Sequence, residues 1–381
     1  MGGYKTKEEK ELAIVVGIST GKTPAKVTLV HLEELTRLAQ TAGAEVVGQV
    51  FQRRATFDAR TLIGSGKIEE LAEKVKETCA GLVIFDDDLT GSQAKTIEAL
   101  LPNVKVLDRS GLILDIFANT AKTSEAKFQV ELAQLEYYLP RLTHAWTHLS
   151  RQAGGIGLRG PGETQLEVDR RLVRKRISDL KKRLKKIEAI KQHQHERRYP
   201  TFHVSLVGYT NAGKSSLMNL LTKANVGVED KLFATLDATT RKLHLGSEAQ
   251  AVLSDTVGFI RKLPHNLIES FKSTLSVVRE STLILNVIDG SNPDCKTQMK
   301  VTADVLSNLE TDNIPRIMVL NKIDLMEFND IELLRLDFPK AVFVSAHQEM
   351  GIALLKNNIK YYYDAHVINY GLEKQGATDQ W

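Results

Sequence analysis

The sequence predicts an α/β protein: two α/β domains with a helical arm between them. Three observations carry that prediction. Strand-like and helix-like apolar runs alternate over residues 11–120, as in a small parallel α/β domain. Two long apolar seams at coiled-coil spacing then follow between residues 123 and 191. Finally, the apolar run 202–207 leads straight into a glycine-bounded loop, 208–215, and on into a helix-like stretch. The expected divisions are 1–122 for the N-terminal domain, 123–198 for the arm, 199–363 for the second α/β domain and 364–381 for a short tail.

Within the first domain, residues 12–16 are apolar and β-branched, and 26–42 place Val27, Val30, Leu35, Leu38 and Ala39 on one helical face. Residues 44–51 read as a strand, 67–79 as a helix aligned on Ile68, Leu71 and Val75, and 81–85 as a buried strand. A helix over 93–101 and a short strand over 104–107 complete the alternation. Gly64-Ser65-Gly66-Lys67 imitates the end of a phosphate-binding loop, but position 61 is Thr and no strand leads into it. A turn and helix cap is the expected role. Asp86, Asp87 and Asp88 follow a strand end and read as a strand-to-helix turn with helix-start charges.

In the arm, Phe128, Leu132, Leu135 and Leu139 form one seam, and Val173, Ile177, Leu180, Leu184 and Ile187 a second. Two seams joined by a loop predict an antiparallel helical hairpin. The joining loop, 143–164, is longer than ordinary connections. It carries Gly154, Gly155, Gly157, Gly160 and Gly162 with Arg151 and Arg159, near His144, Trp146 and His148. Such a tip can lie close against RNA, with a plain linker as the alternative.

The 381 residues suffice for two or three domains, each with its own core, and 42% apolar with 26% charged content is ordinary for a globular protein. Cys79 and Cys295 have no partners at metal spacing and are expected to be buried thiols of a cytoplasmic protein. No signal peptide fits, and no apolar run nears the ~18 residues of a membrane span, which leaves at most peripheral membrane association. A monomer is expected. Residues 151–200 hold 15 Lys/Arg against 6 Asp/Glu, a surplus of nine, so the rest of a chain with net charge +4 carries −5. Such concentration points to a polyanionic partner, nucleic acid first, against the alternative of a solvated helix face.

Gly208, Tyr209, Thr210, Asn211, Ala212, Gly213, Lys214 and Ser215 match G-x-x-x-x-G-K-[ST], with Ser216 opening the following helix. This loop turns backbone N–H groups toward a phosphate chain, with Lys214 for the β- and γ-phosphates and the Ser215 hydroxyl for Mg²⁺. Asp255, Thr256, Val257 and Gly258 form a D-x-x-G turn after a strand. Asp255 suits Mg²⁺ through water, and the Gly258 N–H suits the γ-phosphate. Asn321, Lys322, Ile323 and Asp324 form an N-K-x-D turn whose carboxylate suits guanine N1–H and the exocyclic amine, and Ser345-Ala346 can close the base pocket. These signals in this order select GTP. The full expectation is an N-terminal small parallel α/β domain with a helical hairpin arm, followed by a P-loop GTPase (G) domain. A second Mg²⁺-binding hydroxyl is expected from Thr235, Thr239 or Thr240, among which spacing cannot choose.

Three strings resemble the HflX family of ribosome-associated GTPases, of the translation-factor-related class: GGIGLRGPGETQLEVDRRLVRKRI, FATLDATTR and DTVGFIRKLPHNLIESFKSTL. The resemblance covers essentially the whole chain. It implies binding to the large ribosomal subunit and its rRNA, splitting or rescue of stalled ribosomes, notably in heat stress, and faster GTP hydrolysis on the ribosome. It also selects Thr235 as the Mg²⁺-binding threonine and places Phe233, Ala234, Leu236 and Asp237 at the nucleotide. Ala238 stands where the family usually has proline, and the chain after about residue 360 is shorter than in some members. A ribosome-assembly GTPase, or an RNA remodeller with an additional N-terminal ATP site, is the alternative reading.

Phe259 occupies the place where many GTPases carry the water-positioning glutamine, so intrinsic hydrolysis is expected to be slow. In some related GTPases an asparagine at the position of Asn211 helps bind K⁺, which can neutralise transition-state charge.

Overall fold

The first strand, β1 (Leu12–Ser19), is buried at every position after Leu12, as a central strand of a parallel sheet covered on both faces must be. The computed structural model describes residues 10–21, 23–142, 165–196, 201–223, 231–246, 249–262 and 272–378. They fall into two units, Met1–Asn119 with Lys127–Lys185, and Thr120–Ala126 with Lys186–Trp381.

In the first unit β1 pairs in parallel with β2 (Glu45–Arg53) and β3 (Leu82–Phe85), and β3 with β4 (Lys105–Asp108), giving the order β2-β1-β3-β4. Helices α1 (Ala25–Thr41), α2 (Ser65–Thr78) and α3 (Gly91–Leu100) connect them. The face of α1 differs from expectation. Val27 is exposed, and Thr28 joins Leu32, Leu35, Leu38 and Ala39 in the core because its hydroxyl donates back to the Pro24 carbonyl. Gly64 is the N-cap of α2, and Lys67 pairs with Glu70 one turn on, so the glycine-lysine turn serves as a helix start. Thr90 and Gln93 close a capping box on α3.

A fourth helix, α4 (Arg109–Thr120), follows β4 without a loop and was not anticipated. Its residues from Arg109 to Leu114 are all buried, so no amphipathic period announces it. Arg109 donates to Asp86 and pairs with Glu34, while Ser110 donates to Asp88. Asp86 and Asp88 are thus taken up by an ion pair and a hydrogen bond within the domain.

The arm helices are α5 (Ser124–Tyr138) and α6 (Gln165–Glu196). They run antiparallel, as Arg183 lies over the Phe128 ring, Arg176 pairs with Glu131, and Arg170 donates to the Leu142 carbonyl. Of the two expected seams, Leu132, Val173 and Leu180 are buried. Phe128, Leu135 and Leu139 are only half-buried, and Ala126, Gln129, Val130 and Ala133 carry the inner face of α5 instead.

The second unit is a six-stranded sheet in the order β10-β9-β8-β5-β7-β6. Its strands are β5 (His203–Gly208), β6 (Thr239–His244), β7 (Gln250–Asp255), β8 (Leu283–Asp289), β9 (Arg316–Asn321) and β10 (Val342–Phe343), parallel except for β6 against β7. Helices α7 (Lys214–Thr222), α8 (Lys272–Arg279), α9 (Cys295–Asn308), α10 (Phe328–Asp337) and α11 (Ile352–Thr378) pack with it. The chain leaves β5 toward β7 on one side and continues to β8 on the other. The carboxyl ends of β5 and β8 therefore flank the topological switch point, where open α/β sheets bind ligands.

The boundary expected at 363/364 falls inside α11, because Phe202 packs edge-on against Tyr363 and also against His366. Cys295 is buried, but Cys79 is exposed at the left-handed C-cap of α2, contrary to expectation. Among the described residues no helix is long and apolar enough to cross a membrane.

Candidate nucleotide-binding site

The loop after β5 is shaped by close backbone approach. A Cβ on Gly208 would lie 2.0 Å from the Val287 carbonyl oxygen, and one on Gly213, at φ +88°, 2.3 Å from Asn321 Nδ2. Asn211 is also left-handed, at φ +60°. Gly213 caps α7, so the loop ends on the positive end of that helix. Lys214 is buried, and its ammonium donates to the carbonyls of Tyr209 (2.9 Å) and Gly208 (3.2 Å). Burial pushes its pKa down to about 8, with the Asp255 carboxylate pulling the other way.

Three oxygens meet beside this lysine. Ser215 Oγ donates to Asp255 Oδ2 at 2.6 Å, and Thr235 Oγ1 lies 3.0 Å from Ser215 Oγ and 3.4 Å from Asp255 Oδ2. Among the threonines that spacing left open, Thr235 is the one at this cluster. Thr239 and Thr240 belong to β6, where Thr240 Oγ1 sits 3.0 Å from Ser254 Oγ. Burial raises the Asp255 carboxyl, and its Oδ1 is buried with no hydrogen-bond partner among the described residues.

Several expected residues serve the walls of the site. Tyr209 turns its hydroxyl to the Arg261 N–H, and the Thr210 N–H donates to the Phe259 carbonyl. The Thr210 hydroxyl accepts from the Phe233 N–H, and Thr256 donates to the Leu206 carbonyl, holding both turns to the sheet. Ala212 and Leu236 are buried. Asp237, placed at the nucleotide by the sequence reading, instead accepts from Lys122 N, Thr123 N and Thr123 Oγ1. Thr210, Asn211, Gly213, Lys214, Ser215, Ser216, Phe233, Ala234, Thr235, Thr256 and Gly258 do line one cavity, together with Lys231, which sequence reasoning missed. No motif singles Lys231 out; its position in the loop before Thr235 is the only signal.

In the N-K-x-D turn Asn321 is buried, donating through Nδ2 to the Ala212 carbonyl and accepting through Oδ1 from the Ala346 N–H. It ties the phosphate loop to the loop after β10. Lys322, at φ +64°, pairs with Asp289 at 2.7 Å. Ser345 is buried and accepts from the Gln348 N–H, and the Ile323 N–H donates to the Val344 carbonyl. Asp324 Oδ1 is buried with no hydrogen-bond partner among the described residues, as an acceptor kept for a base edge would be. Arg151, Gly154, Gly155, Gly157, Arg159, Gly160 and Gly162 lie outside the described residues.

Three family models match the chain: a GTP-binding GTPase N-terminal region over residues 30–118, a GTP-binding GTPase middle region over 120–198, and a 50S ribosome-binding GTPase over 203–322. The GTPase HflX of Caldanaerobacter subterraneus subsp. tengcongensis is 48% identical over 356 residues, spanning 92% of this chain and 80% of that protein. The GTPase HflX of Escherichia coli K12 is 45% identical over 330 residues, 85% of this chain and 77% of that one. Among solved structures, that of SsGBP in complex with GDP has the same fold, with a TM-score of 0.52 and 23% identity over 93% of this chain and 99% of that chain. With identity of this order over most of its length, the chain belongs to the HflX family of GTPases and hydrolyses GTP to GDP and phosphate.

Proposed function

We propose that this GTPase binds the large ribosomal subunit in its GTP state, splits or rescues stalled ribosomes, including under heat stress, and is released after hydrolysis. The observation that carries the reading is the convergence of Ser215, Thr235 and Asp255 beside Lys214, in a chain that matches a 50S ribosome-binding GTPase model over 203–322. A switch loop that meets the phosphate site can make affinity for a large partner depend on the γ-phosphate.

In this reading the phosphates lie against 208–215, with Lys214 on the β- and γ-oxygens and the Gly258 N–H on the γ-phosphate. Guanine is read by Asp324, with Asn321 bracing the pocket wall and Ala346 beside the base. An all-oxygen donor set with a buried, unbonded Asp255 Oδ1 fits Mg²⁺. Ser215 and Thr235 would hold the ion directly and Asp255 through water. When bound, Mg²⁺ supplies positive charge against the β- and γ-phosphate oxygens. Asn211 is the candidate side chain for K⁺. The basic α6 and the glycine-rich stretch 151–162 are the proposed rRNA contacts, and a cytoplasmic monomer is the proposed state.

Phe259 is buried and cannot orient a water, so the free protein is a slow enzyme and the ribosome accelerates it. The test is sucrose-gradient sedimentation of intact ribosomes with the protein and a non-hydrolysable GTP analogue. Splitting into subunits, with the protein on the large one, is the expected result. Intact ribosomes combined with binding to immature particles would make it an assembly factor instead.

A further inference from the structure

Thr235 reaches Ser215 from a loop that is pinned on both sides. On one side Phe233, buried and at φ +58°, donates its N–H to Thr210 Oγ1 at 2.8 Å. On the other, Leu236 is buried and the Asp237 carboxylate bonds residues 122 and 123. It accepts from Lys122 N at 3.0 Å, Thr123 N at 3.3 Å and Thr123 Oγ1 at 2.5 Å. The same Thr123 hydroxyl accepts from Ala126 N at 3.1 Å, so Thr123 caps the start of α5. Backbone N–H groups at a helix start lack intrahelical partners and favour an anion, and Asp237 supplies one. Residues 120–126 belong to the same compact unit as the G domain, although they lie 114 residues from Asp237 in sequence.

We propose that Asp237 and Thr123 are positioning residues for GTP hydrolysis. Their clasp holds the loop 233–237 where Thr235 faces the metal site, so a residue outside the 203–322 GTPase region sets the metal dependence of the reaction. The proposal rests on the reading of Thr235 as a Mg²⁺ ligand. It assigns Asp237, two residues on, a mechanical role in place of a nucleotide contact. Removal of the clasp frees the loop on one side while Phe233 still anchors the other. Thr235 then spends less time at Ser215, and more Mg²⁺ is needed to draw it in.

The test uses the full chain with Thr123→Val, Thr123→Ser, Asp237→Asn, the Thr123→Val/Asp237→Asn double variant and Thr235→Ala. GTP hydrolysis is titrated with Mg²⁺, and GDP affinity and thermal unfolding are measured in parallel. Thr123→Val and Asp237→Asn should each raise the Mg²⁺ concentration for half-maximal hydrolysis about tenfold, as loss of an outer support for a metal ligand does. GDP affinity should stay within about twofold. The double variant should be no worse than either single one, the non-additivity of two halves of one contact. Thr123→Ser keeps the hydroxyl and should behave as wild type. A cap that only stabilised α5 would lower the unfolding temperature and leave the Mg²⁺ curve in place, and that result overturns the proposal. Should Thr123→Val fold poorly, Asp237→Asn leaves the cap hydroxyl intact and reads the same shift of the Mg²⁺ curve. If Thr235→Ala leaves the Mg²⁺ dependence unchanged, the metal reading itself fails. If Thr235→Ala shifts it and the clasp variants do not, only the clasp fails.

Discussion

Ser215 donates its hydroxyl proton to Asp255 across 2.6 Å, which brings the first residue after the phosphate-loop lysine onto the carboxylate that ends β7. A hydroxyl and a buried carboxylate in contact form a preassembled oxygen pair, and Asp255 Oδ1, with no hydrogen-bond partner among the described residues, is an acceptor left over for the water of a hydrated cation. Asp255→Asn keeps the shape and removes the charge. The expected outcome is a loss of about 10–100-fold in Mg²⁺ affinity, the range for outer-shell partners of a metal. Mg²⁺ titration of fluorescent GTP-analogue binding measures it, and an unchanged Mg²⁺ requirement would remove Asp255 from the site.

Lys214 sets a pH dependence. Burial pushes its ammonium down to about 8 in the nucleotide-free protein, below the ~10.4 of an unfolded lysine. Between those values the unfolded chain holds more protons than the folded one, so this group makes nucleotide-free stability rise with pH over that window. Below about 8 the lysine is charged in both states and the cost of burying the charge is fully present. A triphosphate favours the ammonium and reverses the balance. GTP affinity is therefore expected to fall above pH 8, by up to ~10-fold per pH unit. Calorimetric titration from pH 7 to 9.5 tests this, and a Lys214→Met variant should show weak binding without that slope.

Gly213 and Asn321 fit against each other with no spare space. Gly213→Ala would put a methyl group 2.3 Å from Asn321 Nδ2, at a φ of +88° that side chains rarely adopt. The left-handed backbone alone costs an L-residue about 1–2 kcal/mol. The larger effect is displacement of Asn321 from Ala212 and Ala346, which loosens the base pocket and the phosphate loop together. Loss of binding to both GTP and GDP by at least ~10-fold is expected, since more than one polar contact is lost. A variant that lost only GTP affinity would show that Asn321 does not brace the base pocket.

The local motifs were legible because each is a strand end followed by a few residues whose chemistry is self-contained. Gly208, Asp255 and Asn321 sit at strand ends where the sequence placed them, and the four strands of the first sheet follow from its apolar runs, whereas β6 and β8 of the second were not anticipated. What was not legible depends on partners far along the chain. Asp237 lies in a family string beside Phe233, Ala234 and Thr235, which line the cavity, yet its partners are 114 and 115 residues away. Thr28 is buried on α1 because its hydroxyl finds Pro24, a contact that hydropathy cannot register. α4 is buried at every position from Arg109 to Leu114, polar residues included, so periodicity passed over it. α11 continues past residue 363 because Phe202, at the far end of the domain sequence, packs on Tyr363 and His366.

Asn211 lines the same cavity as Gly258 and Lys231. If K⁺ sits there during turnover, KCl should stimulate GTP hydrolysis more than NaCl at equal ionic strength; equal rates would remove the ion from the mechanism. Lys231 is a second source of positive charge on that wall. Lys231→Met should slow hydrolysis in NaCl and widen the gap between the two salts. A uniform loss in both would assign Lys231 to binding alone.

Phe259 does structural work where other GTPases place a glutamine. Its N–H donates to the Gly208 carbonyl at 3.0 Å, its carbonyl accepts from the Thr210 N–H at 2.7 Å, and its side chain is 2% exposed. The residue therefore links the phosphate loop to the D-x-x-G turn through its backbone while its ring is buried. Phe259→Gln would put an amide into a buried site and leave part of the ring volume unfilled. By the scale of large-to-small changes in cores, a loss of about 3–5 kcal/mol is expected for Phe259→Ala. Phe259→Gln also carries the cost of a buried amide. Intrinsic turnover should not rise in Phe259→Gln, because a side chain directed into the core cannot orient a water at the γ-phosphate. Thermal unfolding and single-turnover GTP hydrolysis of Phe259→Gln separate the outcomes. A stable variant with faster hydrolysis would show that position 259 faces the reacting phosphate in the GTP state.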